Sequence, residues 1–173
     1  MNEVLKNLIS RRSVRAYRNE MPPREVIEKI TLAGTYAATG RNSQSPIIIT
    51  VTDKATRDFL SRINAGIMGK DLSFDPFYGA PVVLIVLADK KAPTYLYDGS
   101  LVMANLMLAA HAEGLGSCWI HRAKEEFERP EGKKLLEELG ISGDYEGIGH
   151  CILGYAAEEP ETKPRKEHYV YTV

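Results

Sequence analysis

Apolar residues recur at helical spacing from the start of the chain, where Val4, Leu5, Leu8 and Ile9 share one face and predict an amphipathic helix over residues 3–10. A second helical pattern begins at Pro22-Pro23, since proline is tolerated in a first turn, and continues through Val26, Ile27, Ile30 and Ala33 towards Ala37. Gly40 suits its C-terminal cap. Residues 39–46 are polar and read as a loop, and β-branched residues 47–51 read as a strand. Helical spacing returns at Phe59, Leu60, Ile63 and Ile67, followed by a turn-rich aromatic run over 74–79. Residues 81–87 are apolar without alternation, which predicts a strand buried on both faces. Residues 97–113 are apolar nearly all round and predict a buried central helix ended by Gly114-Leu115-Gly116. A short strand over 117–120, a charged surface helix over 131–139 and a last strand over 147–155 complete the pattern. The acidic stretch 125–138 reads as a solvent face with pairs such as Glu131 and Lys134. The tail, 158–173, is polar and basic in the middle, and Tyr155, Tyr169 and Tyr171 call for a surface to pack on.

The length of 173 residues suits one compact domain that needs no disulfide or metal staple. With 22 basic and 23 acidic side chains the net charge is −1, which argues against a general nucleic-acid binder. No apolar run approaches the ~20 residues of a membrane span, and the first residues lack the layout of a signal peptide. Two cysteines, Cys118 and Cys151, make no disulfide framework, so the expected location is the reducing cytoplasm.

Three features bear on chemistry. Arg11, Arg12 and Arg15 flank Ser13, and guanidinium groups with a hydroxyl suit a phosphate; a solvated charged turn accommodates the same residues. The cluster follows a helix C-terminus, where the dipole repels anions, so any phosphate there depends on side-chain charge. Lys163-Pro164-Arg165-Lys166 is a second basic cluster, and a tail folded back on the domain would let the two enclose one dianion. Asn42, Ser43 and Gln44 offer donors and acceptors suited to the edge of a heteroaromatic ring, although loop amides also serve as turn formers. A zinc site from Cys118, His121, His150 and Cys151 is disfavoured, because adjacent strand residues point to opposite faces. Gly114-Leu115-Gly116 lacks the third glycine of a dinucleotide fingerprint, and no Gly-Lys-Ser/Thr loop is present.

In order and spacing these features resemble the nitroreductase family. Arg11-Arg12-Ser13-Val14-Arg15 resembles its opening motif, Asn42-x-Gln44 its second, the central helix running into residues 114–120 its third, and Lys163-Pro164-Arg165 its C-terminal phosphate element. The resemblance implies an α+β fold with a mixed, mostly antiparallel central sheet wrapped by helices. It implies one domain over 1–173, with residues 158–173 as an arm over the partner of a homodimer that holds FMN at the subunit interface. It further implies an oxidoreductase that takes a hydride from NADH or NADPH and passes it to an electron-poor acceptor, a nitroaromatic or quinone, by a ping-pong mechanism.

Carried over by position, Arg11 and Ser13 match phosphate and ribityl contacts with Arg12 beside them, and Lys163 and Arg165 match a second phosphate clamp. Arg15 matches the cation near flavin N1 and the C2 carbonyl, where positive charge favours the anionic reduced ring. Asn42 and Gln44 match polar contacts to the flavin, Ala38 and Thr39 the contact positions before them, and the backbone around Ile120 and His121 a donor towards N5. No side chain is required as acid or base, so no catalytic residue is assigned. The chain departs from the family in having Ala38-Thr39-Gly40 for Pro-Ser-Ser and Ser45-Pro46 for Pro-Trp, and it shows no counterpart of an extra Asn or Lys before the second long strand. A non-catalytic FMN-binding or sensing protein, a specialised flavin-modifying member and a phosphate-ligand module without flavin are the alternatives.

Overall fold

The computed structural model describes all 173 residues. Strands β1 (Pro46–Val51), β2 (Val82–Asp89), β3 (Gly116–Ile120) and β4 (Tyr145–Gly154) form one sheet in the order β1-β2-β4-β3, with every ladder antiparallel. The sole parallel pairing is an isolated bridge between Ser13 and Ser117. Helices are α1 (Glu3–Ser10), α2 (Arg24–Thr35), α3 (Lys54–Ile67), α4 (Tyr95–Ala112), α5 (Ala123–Glu128) and α6 (Pro130–Glu138).

The missing alternation in β2 has its expected cause. Val82, Leu84 and Val86 join a core with Ile27 and Ile30 of α2 and Met103 and Leu106 of α4. Val83, Ile85 and Leu87 join a second core with Leu60 of α3, Phe77 and Phe127 of α5. The sheet is therefore covered on both faces, and its central strand lies wholly out of water.

A register shift between Val86 and Leu87 of β2 opposes Gly147 and Gly149 of β4, so Ile148 bulges. Both glycines are needed for close approach. A Cβ on Gly147 would lie 2.2 Å from the Ala123 carbonyl oxygen, and one on Gly149 would lie 2.4 Å from Trp119 Nε1. This bulge seats the first turn of α5 and the Trp119 ring directly on backbone.

Several sequence expectations need correction. Helix α2 ends at Thr35, short of Gly40, which instead opens a single 3₁₀ turn, Gly40–Asn42. The acidic stretch 125–138 is two helices broken at Arg129, and Glu126 is fully buried, not on a solvent face. Lys134 pairs with Glu138 at 3.7 Å, one turn on, in place of Glu131. Tyr155 packs against the first core, but Tyr169 and Tyr171 are exposed and find no surface on this chain. Helix α4 is buried where it meets the sheet, α2 and the 40–45 loop, but not all round; Leu96, Tyr97 and Leu101 face out.

Candidate functional site

The arginine segment is stitched to the sheet by backbone. Val14 N–H donates to the Ser117 carbonyl at 3.0 Å, Arg18 N–H to Tyr155 at 2.9 Å, and Ala157 N–H to Ala16 at 2.9 Å. Val14 is buried against Gly116, where a Cβ would lie 2.8 Å from its Cγ2. Its neighbours Ser13 and Arg15 are turned the other way by extended-chain alternation. Asn7 Nδ2 donates to the Leu108 carbonyl at 3.0 Å, and Ser10 Oγ lies 2.8 Å from His111 Nε2, so α1 is pinned to the last turns of α4.

Arg11 Nη1, Arg12 Nε and Ser117 Oγ are buried without hydrogen-bond partners. Arg12 Nη1 is held by the Ile9 and Arg11 carbonyls, both at 2.8 Å, which leaves Arg11 Nη1, Arg12 Nε and the Ser117 hydroxyl as donors of the kind a phosphate takes. The tail comes to the same place: Arg12 Nη2 donates to Thr162 Oγ1 at 2.9 Å, beside Lys163, and Arg15 N–H donates to Glu158 Oε1 at 2.5 Å. Lys163 and Arg165 are exposed. None of the five cations, Arg11, Arg12, Arg15, Lys163 and Arg165, forms a salt bridge. Their field reaches His111, which burial first, and then the Arg11 and Arg12 charges, hold below its ordinary pKa. Cys151 is pushed up to about 12 by burial and then by Cys118, against a lowering from Arg11. That thiol is no nucleophile.

The loop from Ala38 to Ser45 is the second piece. Arg41, Asn42 and Gln44 all have positive φ, at 54°, 54° and 49°, a region that side-chain-bearing residues occupy only when the surroundings hold them there. Thr39 Oγ1 accepts from Gln44 N–H at 3.1 Å, and Gln44 Nε2 donates to Asn42 Oδ1 at 3.3 Å. Asn42, Gln44 and Ala38 are exposed. The loop divides two open clefts, and Gln44 lines both. One, about 680 Å³, includes Thr31, Leu32, Thr35, Thr39 and Ile48. The other, about 570 Å³, includes Arg41, Lys91 and Tyr145.

The third piece is the turn leaving β3. Ile120 is buried and His121 exposed, with its ring centroid 5.9 Å from that of Trp119. Arg122 has φ 78°. Asn64 of α3, fully buried, clamps this turn with both ends of its amide: Nδ2 donates to the His121 carbonyl at 3.1 Å, and Oδ1 accepts from Arg122 Nε at 2.9 Å. Sequence reasoning missed Asn64, because a lone Asn in a helix carries no pattern that names its partner.

The structure brings Arg11, Arg12, Ser13 and Arg15 together with the tail before Lys163, along the edge strand that ends at Ile120 and His121. It does not bring Ala38, Thr39, Asn42 and Gln44 to that place. Their loop is tied to Asp98, and Ser10, which leads directly into the arginine segment, to His111, thirteen residues further along α4, which is ~20 Å on a helix rising about 1.5 Å per residue. One chain therefore presents two half-sites at opposite ends of its central helix.

A three-layer helix–sheet–helix protein with a desolvated basic cradle and a strained amide loop is the class this architecture defines. The chain belongs to the Nitroreductase family, whose model matches residues 8–155. It is 33% identical over 168 residues to an Archaeoglobus fulgidus protein named NADH dehydrogenase/NAD(P)H nitroreductase, spanning 93% of this chain and 90% of that one. It is 27% identical over 187 residues to the Bacillus subtilis FMN reductase (NAD(P)H), spanning 95% and 70%. The crystal structure of a nitroreductase with bound FMN from Bacteroides fragilis matches at a TM-score of 0.91 and 27% identity, with 100% of each chain covered.

Proposed function

We propose that the protein is an NAD(P)H-dependent FMN oxidoreductase working as a homodimer, in which each flavin is held by the basic cradle of one chain and the 38–44 loop of the other. The buried, unpartnered Arg11 Nη1, Arg12 Nε and Ser117 Oγ carry this reading, because a dianionic phosphate is the ligand that satisfies them. Lys163 and Arg165 close the phosphate end from the tail. Arg15, its guanidinium exposed and in no salt bridge, supplies positive charge for the ring. The turn at Ile120 and His121, clamped by Asn64, offers backbone donors at the far end of β3. Ala38, Thr39, Asn42 and Gln44 meet the ring from the second chain.

The two-chain arrangement is supported by the ~20 Å separation of the half-sites and by the apolar surface between them. Val4, Leu5, Leu8 and Ile9 of α1, Leu32 of α2 and Leu101 of α4 are all exposed in one chain, large apolar side chains of the kind a partner subunit covers. Residues 158–173, with Tyr169 and Tyr171 unpacked, form the arm that crosses to the partner, and residues 1–173 act as one domain. Free, buried Cys118 and Cys151 suit a cytoplasmic setting. No helix is long and apolar enough to cross a membrane.

A bound flavin supplies two-electron chemistry, with hydride in from a nicotinamide and out to an acceptor. The residues orient the cofactor and set the charge around it, and no acid or base is drawn from the chain. Donor and electron-poor acceptor, a nitroaromatic or quinone, use one open face in turn, which gives ping-pong kinetics. The test is a visible spectrum of the protein with FMN, followed by anaerobic NADH and then NADPH. Bound yellow flavin that bleaches is the expected result. Flavin that binds but stays oxidised with both donors refutes the enzyme in favour of a sensing protein, and no bound flavin refutes the cofactor.

A further inference from the structure

Asp98 lies in the first turn of α4, 2% exposed, and faces the 40–45 loop. Its Oδ1 accepts from Gly40 N–H at 2.9 Å. Its Oδ2 accepts from three hydroxyls: Thr94 at 3.0 Å, Ser45 at 3.1 Å and Ser43 at 3.2 Å. Three of these four donors belong to the loop that carries Asn42 and Gln44. The approach depends on glycine, because a Cβ on Gly40 would lie 2.3 Å from Thr94 Oγ1.

A buried carboxylate is costly unless its lone pairs are filled, and here the loop fills them. The exchange runs both ways. Arg41, Asn42 and Gln44 hold left-handed backbone that their own side chains do not favour, and such strain persists only where surrounding bonds over-determine it. Asp98 binds that loop on both sides of the strained residues, at Gly40 before them and at Ser43 and Ser45 among and after them. Burial raises the carboxyl's pKa, but the Gly40 amide and the three hydroxyls outweigh it and hold the group below its ordinary range. It is therefore an anion at neutral pH, an acceptor for all four donors.

We propose that Asp98 is a positioning residue for the cofactor site, holding the 38–44 loop in the one conformation that presents Asn42 and Gln44 to the flavin. The inference rests on the proposed function for what the loop meets. In the two-chain arrangement Asp98 acts across the interface, on the site whose basic cradle belongs to the partner.

Asp98→Asn keeps the size of the side chain and an acceptor for Gly40, but sets an amide nitrogen where three hydroxyls donate. The expected result is a folded dimer by circular dichroism and gel filtration, with the FMN Kd from fluorescence quenching raised about tenfold. A heterodimer of Asp98→Asn with Arg11→Ala, isolated with two tags, then separates positioning from general loosening. With the loop acting in trans, one of its two sites carries both lesions and the other none, so flavin-dependent turnover returns to about half that of wild type. Either homodimer stays impaired at both sites. If Asp98→Asn does not fold, Ser43→Ala with Ser45→Ala removes two loop donors and leaves the charge; a rise of about threefold in the FMN Kd is then expected. Wild-type FMN affinity in whichever variant folds overturns the proposal. A raised Kd without recovery in the heterodimer upholds Asp98 as the loop's anchor and overturns the two-chain site. Wild-type protein that binds no FMN refutes the flavin reading on its own, before any variant is made.

Discussion

His150 of β4 and Glu126 of α5 are both fully buried, with Nε2 and Oε2 2.8 Å apart. The approach is close, yet neither atom makes a directed hydrogen bond, and Glu126 Oε1 and His150 Nδ1 have no partner at all. The two groups are in electrostatic contact, held at that distance by packing. The His150 ring lies 5.2 Å from that of Phe77, tilted by 49°, so His150→Phe fills the space with another ring but leaves the Glu126 carboxyl alone in an apolar core. Removing one partner of such a buried pair costs about 3–5 kcal/mol. At about 2–4 °C per kcal/mol for a chain of this size, Tm should fall by roughly 6–20 °C. Glu126→Leu removes the carboxyl and leaves only the ring nitrogens unsatisfied, which costs less, about 1–3 kcal/mol. The double variant, with neither polar group, should be more stable than His150→Phe alone. Thermal unfolding of the four proteins at one protein concentration completes the cycle. Single costs that simply add, within about 0.5 kcal/mol, would refute the coupling. The pair has a bearing on function because α5 follows directly from the Ile120–Arg122 turn, which it fixes to the sheet.

The two cationic roles separate in kinetics. Arg15→Ala should slow flavin reduction by NADH about tenfold or more with a smaller change in FMN affinity, whereas Lys163→Ala should weaken FMN binding a few-fold and leave reduction of the bound flavin nearly intact. Stopped-flow bleaching and FMN titration check this, and equal effects of both changes on both quantities would remove the distinction. Asp75 gives a pH prediction. Burial raises its pKa, but Arg57 at 2.5 Å, the Ser61 hydroxyl and the Gly79 amide prevail and hold it below its ordinary value. A folded pKa below the unfolded one means that its contribution is whole above about pH 4 and is lost as pH falls through the folded value. Asp75→Asn should therefore cost about 2–3 kcal/mol at pH 7 and noticeably less at pH 3. A difference in thermal unfolding that is constant over this range would count against the assignment.

Much of the molecule is legible along the chain wherever a physical constraint repeats locally. The unbroken apolar run of β2 announces a strand with both faces covered, and the opening arginine motif, the amide loop and the basic tail name the family by their order. Helix ends are less legible. Ala37 and Gly40 extend the helical pattern of α2, but the chain leaves the helix at Thr35 because the following loop is bound elsewhere, by Asp98. The acidic stretch 125–138 reads as solvated because a buried and an exposed glutamate look alike in sequence. Only the partner, His150, distinguishes Glu126 from its neighbours.

By itself the sequence determined the order of the elements, the two-sided burial of the sheet and the inventory of cations and amides that a phosphate-bearing cofactor requires. These follow from periodicity and composition, which act over a few residues. The tertiary structure decided which of those groups meet. It set Asp98 beneath a loop 58 positions away, gave Asn64 the turn at His121, 57 positions away, and parted the arginine segment from the amide loop by most of a helix. The physical reason is that a buried polar group is defined by the partner that satisfies it, and that partner is chosen by packing across the sheet, not by distance along the chain.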